Sequence, residues 1–373
     1  MRSDARLDWS EIDPDVAGQL RDLEVQFDRH AIEQFAARIA GGELGPESNV
    51  VCDEPVPAGP DDVDDLARFS QAERERFAAR GNEAIQRGAV AVAVLNGGMA
   101  TRFGGVVKGI VEALDGRSFL EIKRAQALAC GPVRFVVMNS FATHRATLEF
   151  LRARELEPGV STFMQSVSLR LTPSGTAFRD RAGHVSLYAP GHGDFPDALR
   201  RSGVLAELEA DGVRVLTLSN IDNLGADLDP VVIGHHLESG RLLSCEVAET
   251  RPGDVGGSPA RVGGALQIVE GFRFPPGFEF SRLHYLATNS FTMSLELLRE
   301  EHPLTWFYVE KEVDGAPVVQ MERLVNELSA RVATTYLATG RDAATGRFLP
   351  MKTLEALEEL RGDDAVRARF RGI

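Results

Sequence analysis

Lysine is nearly missing from this 373-residue chain. Of its 41 basic side chains only Lys108, Lys123, Lys311 and Lys352 are lysines. Arginine is the default cation, so each lysine marks a place where a compact point charge stands instead of a planar fork. Cysteine is equally scarce: Cys52, Cys130 and Cys245 lie far apart with no CxxC, which suggests neither a disulfide framework nor a thiolate zinc site. No apolar run approaches the ~18 residues of a membrane span. The opening "MRSDARLDWSEIDPD" lacks the apolar segment of a signal peptide, and a cytoplasmic protein is expected. There is no GK[ST] triplet and hence no Walker A loop, and no nicotinamide fingerprint is evident. Positive charge is short overall. The net charge of −14 sets the chain against nucleic acid as a partner, but a local cluster of donors can still hold a small anion.

Hydrophobic residues make up 43% and charged residues 26%, a globular composition that can bury a core. Val16, Leu20, Leu23 and Phe27 recur at helical spacing, which predicts a helix over 15–41 closed by Gly41-Gly42. The stretch 43–62 carries four prolines and reads as a linker, and a second helix is expected over 62–87. Residues 1–88 are thus expected as a helical N-terminal lobe. From 89 the texture changes. "AVAVAVL" (89–95), "VRFVVM" (133–138) and "VRVLTL" (213–218) read as strands buried on both faces. Ser118 and Glu121 stand in capping-box spacing at the start of a helix, and another helix is expected near 142–154. Strands alternating with helices predict an α/β layered fold with a mostly parallel sheet. Ligand sites in such folds lie at the carboxyl ends of the strands. There the sequence puts Asn96-Gly97-Gly98, Asn139-Ser140 and Asn220–Asn223.

The stretch "LNGGMATRFGGVVKG" follows the first of these strands. Its glycines let a ligand approach main-chain N–H groups, and a concave row of such groups binds phosphate oxygens. Arg102 and Lys108 add charge to the same loop. Gln165 offers both a donor and an acceptor, which suits the imide edge of a base. Asp222 follows the end of a strand, where a carboxylate can hold Mg²⁺ against a phosphate.

The glycine loop resembles the signature loop of the UTP–glucose-1-phosphate uridylyltransferases. "FMQSVSLRL" (163–171), "APGHGDFPDALRRSGVL" (189–205), "LSNIDNLGADLDP" (218–230), "ATNSF" (287–291) and "RFLPMKT" (347–353) follow in the family's order. The resemblance covers roughly residues 90–355. It implies a Rossmann-like nucleotidyltransferase fold, three layers α/β/α around a mixed, mostly parallel sheet. It implies a catalytic core over 89–310 and a segment 311–373 closing the sugar-phosphate site. The implied reaction is attack by the oxygen of a hexose 1-phosphate on the α-phosphorus of UTP, with Mg²⁺ as cofactor and pyrophosphate leaving. Asn96, Gly97 and Gly98 would lie along the nucleotide, and Gln165 would read uracil. Gly191 and His192 would contact uridine and the sugar phosphate. Arg102 and Lys108 would hold the β- and γ-phosphates, and Asp222 the metal. Asn220 would contact the sugar or ribose, Asn289 the hexose hydroxyls, and Lys352 would neutralise the sugar phosphate. The same chemistry on N-acetylglucosamine 1-phosphate or galactose 1-phosphate, and a non-catalytic nucleotide-sugar binder, are the alternatives.

The chain departs from the family pattern in four places. One is the spacing from "RFG" to Lys108, which is one residue shorter than in common members and would align Lys108 with a neighbouring family position. Met99-Ala100-Thr101 replaces part of the usual loop. "GDVGGSPARVGG" (253–264) lacks a lysine the family commonly carries there, for which Arg251 or Arg261 would substitute. A C-terminal β-helix is not expected, since about twenty residues follow Lys352. Lys123 and Lys311 match no motif and are expected at the surface, as is His235-His236 on a helix.

Overall fold

In the computed structural model, which describes residues 7–100 and 106–371, the apolar run at residue 90 lies at the heart of the sheet. Val90, Val92 and Val94 enter one buried cluster while Ala91, Ala93 and Leu95 enter another, as the two-residue period of a strand requires. Both faces are covered, so the run from Val90 to Leu95 is apolar on either side. The strands of this sheet, in chain order, are β1 Asp64–Asp65, β2 Val90–Asn96, β3 Arg134–Asn139, β4 Val160–Met164, β5 Val215–Asn220, β6 Leu243–Glu249, β7 Tyr285–Ser294 and β8 Thr334–Ala338. Their order across the sheet is β1-β8-β6-β7-β5-β2-β3-β4. Only β7 runs against the rest, pairing antiparallel with β5 and β6.

The helices are α1 Trp9–Gln19, α2 Arg29–Ala40, α3 Gln71–Gln86, α4 Phe119–Ala129, α5 His144–Ala153, α6 Phe195–Arg201, α7 Val204–Ala210, α8 Pro230–Ser239, α9 Leu295–Arg299, α10 Leu354–Gly362 and α11 Asp364–Phe370. Residues of α6, α7 and α9 cover one face of the sheet; residues of α3, α4, α8, α10 and α11 cover the other. The three-layer α/β/α architecture expected from the sequence is present. So is the capping box of α4, in which Ser118 accepts from Glu121 N and Glu121 accepts from Ser118 N.

The first 88 residues are distributed over the molecule instead of standing apart. The expected helix over 15–41 is two helices, because Asp28 caps a fresh start for α2 and Phe27 bridges to Val167. Both helices share one buried cluster with residues 167–187 and the hairpin 307–322, and α1 is tied to Val185 by Gln19 and Asp15. The expected helix over 62–87 begins only at Gln71, since Asp64–Asp65 pair with Leu337 and Ala338 at the sheet edge. α3 crosses α8 backbone to backbone: a Cβ on Gly81 would lie 1.9 Å from Pro230 O, and one on Gly234 1.9 Å from Phe77 O. That close crossing buries the two histidines expected at the surface. His235 bonds Asp64 at 3.0 Å between Phe69 and Phe77. His236, 1% exposed, bonds Ser244 and Ser294, and burial pushes its imidazole down to about 4.

Candidate functional site

β2, β3 and β5 each end on an asparagine at the carboxyl edge, where the chain must leave the sheet. Asn96 is fully buried. Its amide donates to Asn139 Oδ1 at 2.8 Å and Thr147 Oγ1 at 3.0 Å, and its oxygen accepts from Gly109 N at 3.2 Å. The side chain expected beside the nucleotide is therefore used inward, tying the return of the glycine loop to β3 and α5.

The edge opens into a cleft of about 360 Å³ lined by Leu95, Gly97, Gly98, Lys108, Met138, Gln165, Ala189, Gly191, His192, Asn220, Ile221 and Asp222. Eight of the expected residues meet here. Gly97 is required by close approach: a Cβ there would sit 2.2 Å from Gln165 Nε2. Gln165 is 5% exposed, and its Oε1 is buried with no partner among the described residues. Gly191 has φ +91°, and a Cβ on it would lie 2.6 Å from Arg323 O, so this turn is closed to larger residues.

The His192 loop is laced to the segment after residue 322. Gly193 N donates to Arg323 O, Arg323 N to Pro190 O, and Val325 N to His192 Nδ1 at 3.0 Å. Because Nδ1 accepts, the ring proton belongs on Nε2. Burial pushes this imidazole down to about 4, so at neutral pH His192 is a neutral N–H donor. Asp194, fully buried, accepts from Ser166 N and pairs with Arg323 and Arg201. Neither Asp194 nor Arg323 was among the expected residues. The aspartate of "GHGD" was the available signal, whereas the arginine lies in no motif.

Asp222, 8% exposed, has Oδ2 at 2.6 Å from Lys108 Nζ, while its Oδ1 is buried without a partner among the described residues. Among the described residues no group of three or more His, Cys, Asp or Glu is placed to hold a metal. One orphaned carboxylate oxygen fits Mg²⁺, which takes one or two carboxylates and completes its shell with phosphate oxygens and water. Beside it, Asn223 donates to Arg347 O and accepts from Leu349 N, and Met351 N donates to Asp222 O at 3.0 Å. These bonds bring "RFLPMK" against the loop, but Lys352 itself is exposed and lines no part of the cleft. Asn289 also stands outside the lining. It adopts φ +55° where the pairing of β6 with β7 shifts register, and its Oδ1 accepts from Asn326. Arg102 lies outside the described residues. Arg251 and Arg261 do not line the cleft either; Arg261 pairs with Asp62.

Lys123 is not at the surface. It is 2% exposed, with Nζ 2.5 Å from Ala226 O, and burial pushes its ammonium down to about 7. Around it Arg347 pairs with Glu246 and Asp227, and Arg369 with Asp227. Lys311, as expected, is exposed, with Glu322 at 3.8 Å.

The family model described as UTP–glucose-1-phosphate uridylyltransferase matches residues 52–363. A Schizosaccharomyces pombe protein described as a probable UTP–glucose-1-phosphate uridylyltransferase is 30% identical over 299 residues, 74% of this chain and 58% of that protein. The Solanum tuberosum UTP–glucose-1-phosphate uridylyltransferase is 30% identical over 291 residues, 72% of this chain and 60% of that one. The chain thus spans about three fifths of the length of these relatives. Among solved structures, a mutant UDP-glucose pyrophosphorylase from Leishmania major superposes with TM-score 0.72 at 24% identity, over 95% of this chain and 81% of that one. A UDP-glucose phosphorylase from Trypanosoma brucei gives TM-score 0.73 at 22% identity, over 94% and 78%. These superpositions establish the fold, and with the family match they show that the chain belongs to the UTP–glucose-1-phosphate uridylyltransferase family.

Proposed function

We propose that the chain transfers a uridylyl group from UTP to glucose 1-phosphate, forming UDP-glucose and pyrophosphate. The observation that carries this reading is the convergence of Gly97, Gly98, Lys108, Gln165, Gly191, His192, Asn220 and Asp222 on one cleft at the carboxyl edge of the sheet. The partnerless Oε1 of Gln165 accepts from the imide N–H of uracil. The bare amides of Gly97 and Gly98 follow the nucleotide, and His192 offers its Nε2–H.

The nucleophile is already an anion, so the chain supplies position and charge, not a strong base. A phosphate oxygen of the sugar phosphate forms a bond to the α-phosphorus. The bond to the bridging oxygen breaks, and its electron pair leaves with pyrophosphate. Lys108 and Arg102 neutralise the leaving group. Asp222 would hold Mg²⁺, and the ion would supply charge neutralisation at the α-phosphate. Lys352, the residue after Met351, would meet the sugar phosphate; Asn220 and Asn289 would meet hydroxyls. In this reading residues 89–310 are the catalytic core and 311–373 close the sugar side. No helix among the described residues is long and apolar enough to cross a membrane, and the reading goes with the cytoplasmic location expected from the sequence.

The test is pyrophosphate release by the purified chain with Mg²⁺, UTP and a panel of glucose, galactose and N-acetylglucosamine 1-phosphates. Release is expected, fastest with the glucose ester. Faster turnover of another ester reassigns the sugar, and no release with any of them favours a nucleotide-sugar binder.

A further inference from the structure

The segment after Asp222 obtains its hydrogen bonds in an unusual way. Five successive carbonyls, Leu224 to Leu228, are each met by a side chain. Gln126 donates to Leu224 O, Lys123 to Ala226 O and Cys130 to Leu228 O. The carbonyls between them face the other way, Gly225 O accepting from Arg369 and Asp227 O from Arg347. The segment itself turns, Ala226 N donating to Asn223 O and Asp227 N to Gly225 O, so α4 with its cap supplies three of the side-chain donors and two arginines supply the others. Residues 123, 126 and 130 share one face of α4 and the turn that ends it, at i, i+3 and i+7.

The same helix is tied to the glycine loop. Phe119 N donates to Val111 O, and Val111 N to Lys108 O. One rigid element therefore carries both the turn that presents Lys108 and the ladder that follows Asp222.

Lysine is a costly residue for the middle rung. An ammonium taken out of water destabilises the fold, whereas an apolar side chain of the same length would fill the space without that cost. Here the ammonium is 2% exposed, and its direct partner is a neutral carbonyl. Carboxylates Asp227, Glu246 and Asp222 are near enough to act on it through space.

We propose that Lys123 is a positioning residue for the reaction: by holding the Ala226 carbonyl it fixes the loop that holds Asp222 at the cleft. This rests on the reading of Asp222 as the metal carboxylate. Groups that orient a metal-binding side chain without touching the metal change metal affinity when removed.

The test uses the full chain with Lys123→Met, read by electron paramagnetic resonance of free Mn²⁺ with UTP present and no sugar phosphate. Mn²⁺ binding is expected to weaken about tenfold. The half-saturating Mg²⁺ for turnover should rise in parallel, KM for UTP should stay within about twofold, and Tm should not fall. Ile122→Val, a cavity in the same helix, is the control: it lowers Tm and leaves Mn²⁺ affinity unchanged. If Lys123→Met does not fold, Gln126→Leu removes the neighbouring rung and should weaken Mn²⁺ in the same direction. Unchanged Mn²⁺ affinity in the folded variant overturns the positioning role, whatever happens to Tm. Failure of the wild-type chain to bind Mn²⁺ with UTP overturns the metal reading of Asp222, and this proposal with it.

Discussion

Asp222 spends one carboxylate oxygen on Lys108 and keeps the other buried and bare. A buried acceptor without a partner costs on the order of 1–3 kcal/mol, so an oxygen kept in that state points to a ligand. Asp222→Asn keeps the shape and removes the charge. Turnover is expected to fall on the order of a hundredfold or more while Tm is retained; wild-type turnover would remove Asp222 from the metal role. His236 gives a test of burial rather than catalysis. Its folded value near 4 lies below the ordinary value of 6.5, so only the unfolded state takes up the proton as pH falls through that window. Stability is therefore lost progressively from about pH 6.5 to 4. The cost approaches about 3 kcal/mol relative to a His236→Gln variant, measured by urea denaturation at the two ends. An equal acid sensitivity in both proteins would contradict it.

Gly81 and Gly234 set how closely α3 and α8 approach, because each would place a methyl carbon against the backbone of the other helix. Backbone cannot rotate away as a side chain can. Gly234→Ala is expected to destabilise by about 1–3 kcal/mol, visible as a lower urea midpoint; an unchanged midpoint would mean that the helices can slide apart freely. α4 makes a prediction of the same sign as His236, in a higher pH window. The Lys123 ammonium is held near 7 against an ordinary 10.5. Burial therefore costs most below pH 7, and the cost is relieved as the unfolded state loses its proton toward pH 10.5. The wild-type chain should gain stability over Lys123→Met between pH 7 and 10, by an amount on the order of 5 kcal/mol at most. A difference independent of pH would contradict the burial of a titrating amine.

At the scale of the whole molecule, the elements legible in the sequence were those whose cause is local. "AVAVAVL" announces a strand covered on both faces, and Ser118 with Glu121 announces the start of α4. Part of the convergence was legible because Gly97-Gly98, Gln165 and Asn220–Asp222 stand at the ends of strands on the same edge. What stayed hidden depends on partners far away in the chain. Asp64–Asp65 are poor strand formers and join the sheet only because Leu337 and Ala338 leave an edge for them. Lys123 looks like any helix-face cation until Ala226, Asp227 and Arg347 close over it. Asn96 sits in the right motif, but its amide is claimed by Asn139, Thr147 and Gly109. Asp194 stands in "GHGD", but the Arg323 that pairs with it lies in no motif.

The central claim is that this acidic chain, of net charge −14, gathers bare amides and a few cations at one sheet edge to receive a nucleoside triphosphate. A crystal structure of the chain with UTP and Mg²⁺ tests it most directly. The prediction is uracil against Gln165, the ribose beside Gly97 and Gly98, and the α-phosphate facing Asp222. Density for the triphosphate elsewhere, for example in the hollow of about 1040 Å³ between residues 250–256 and Phe280, would contradict it.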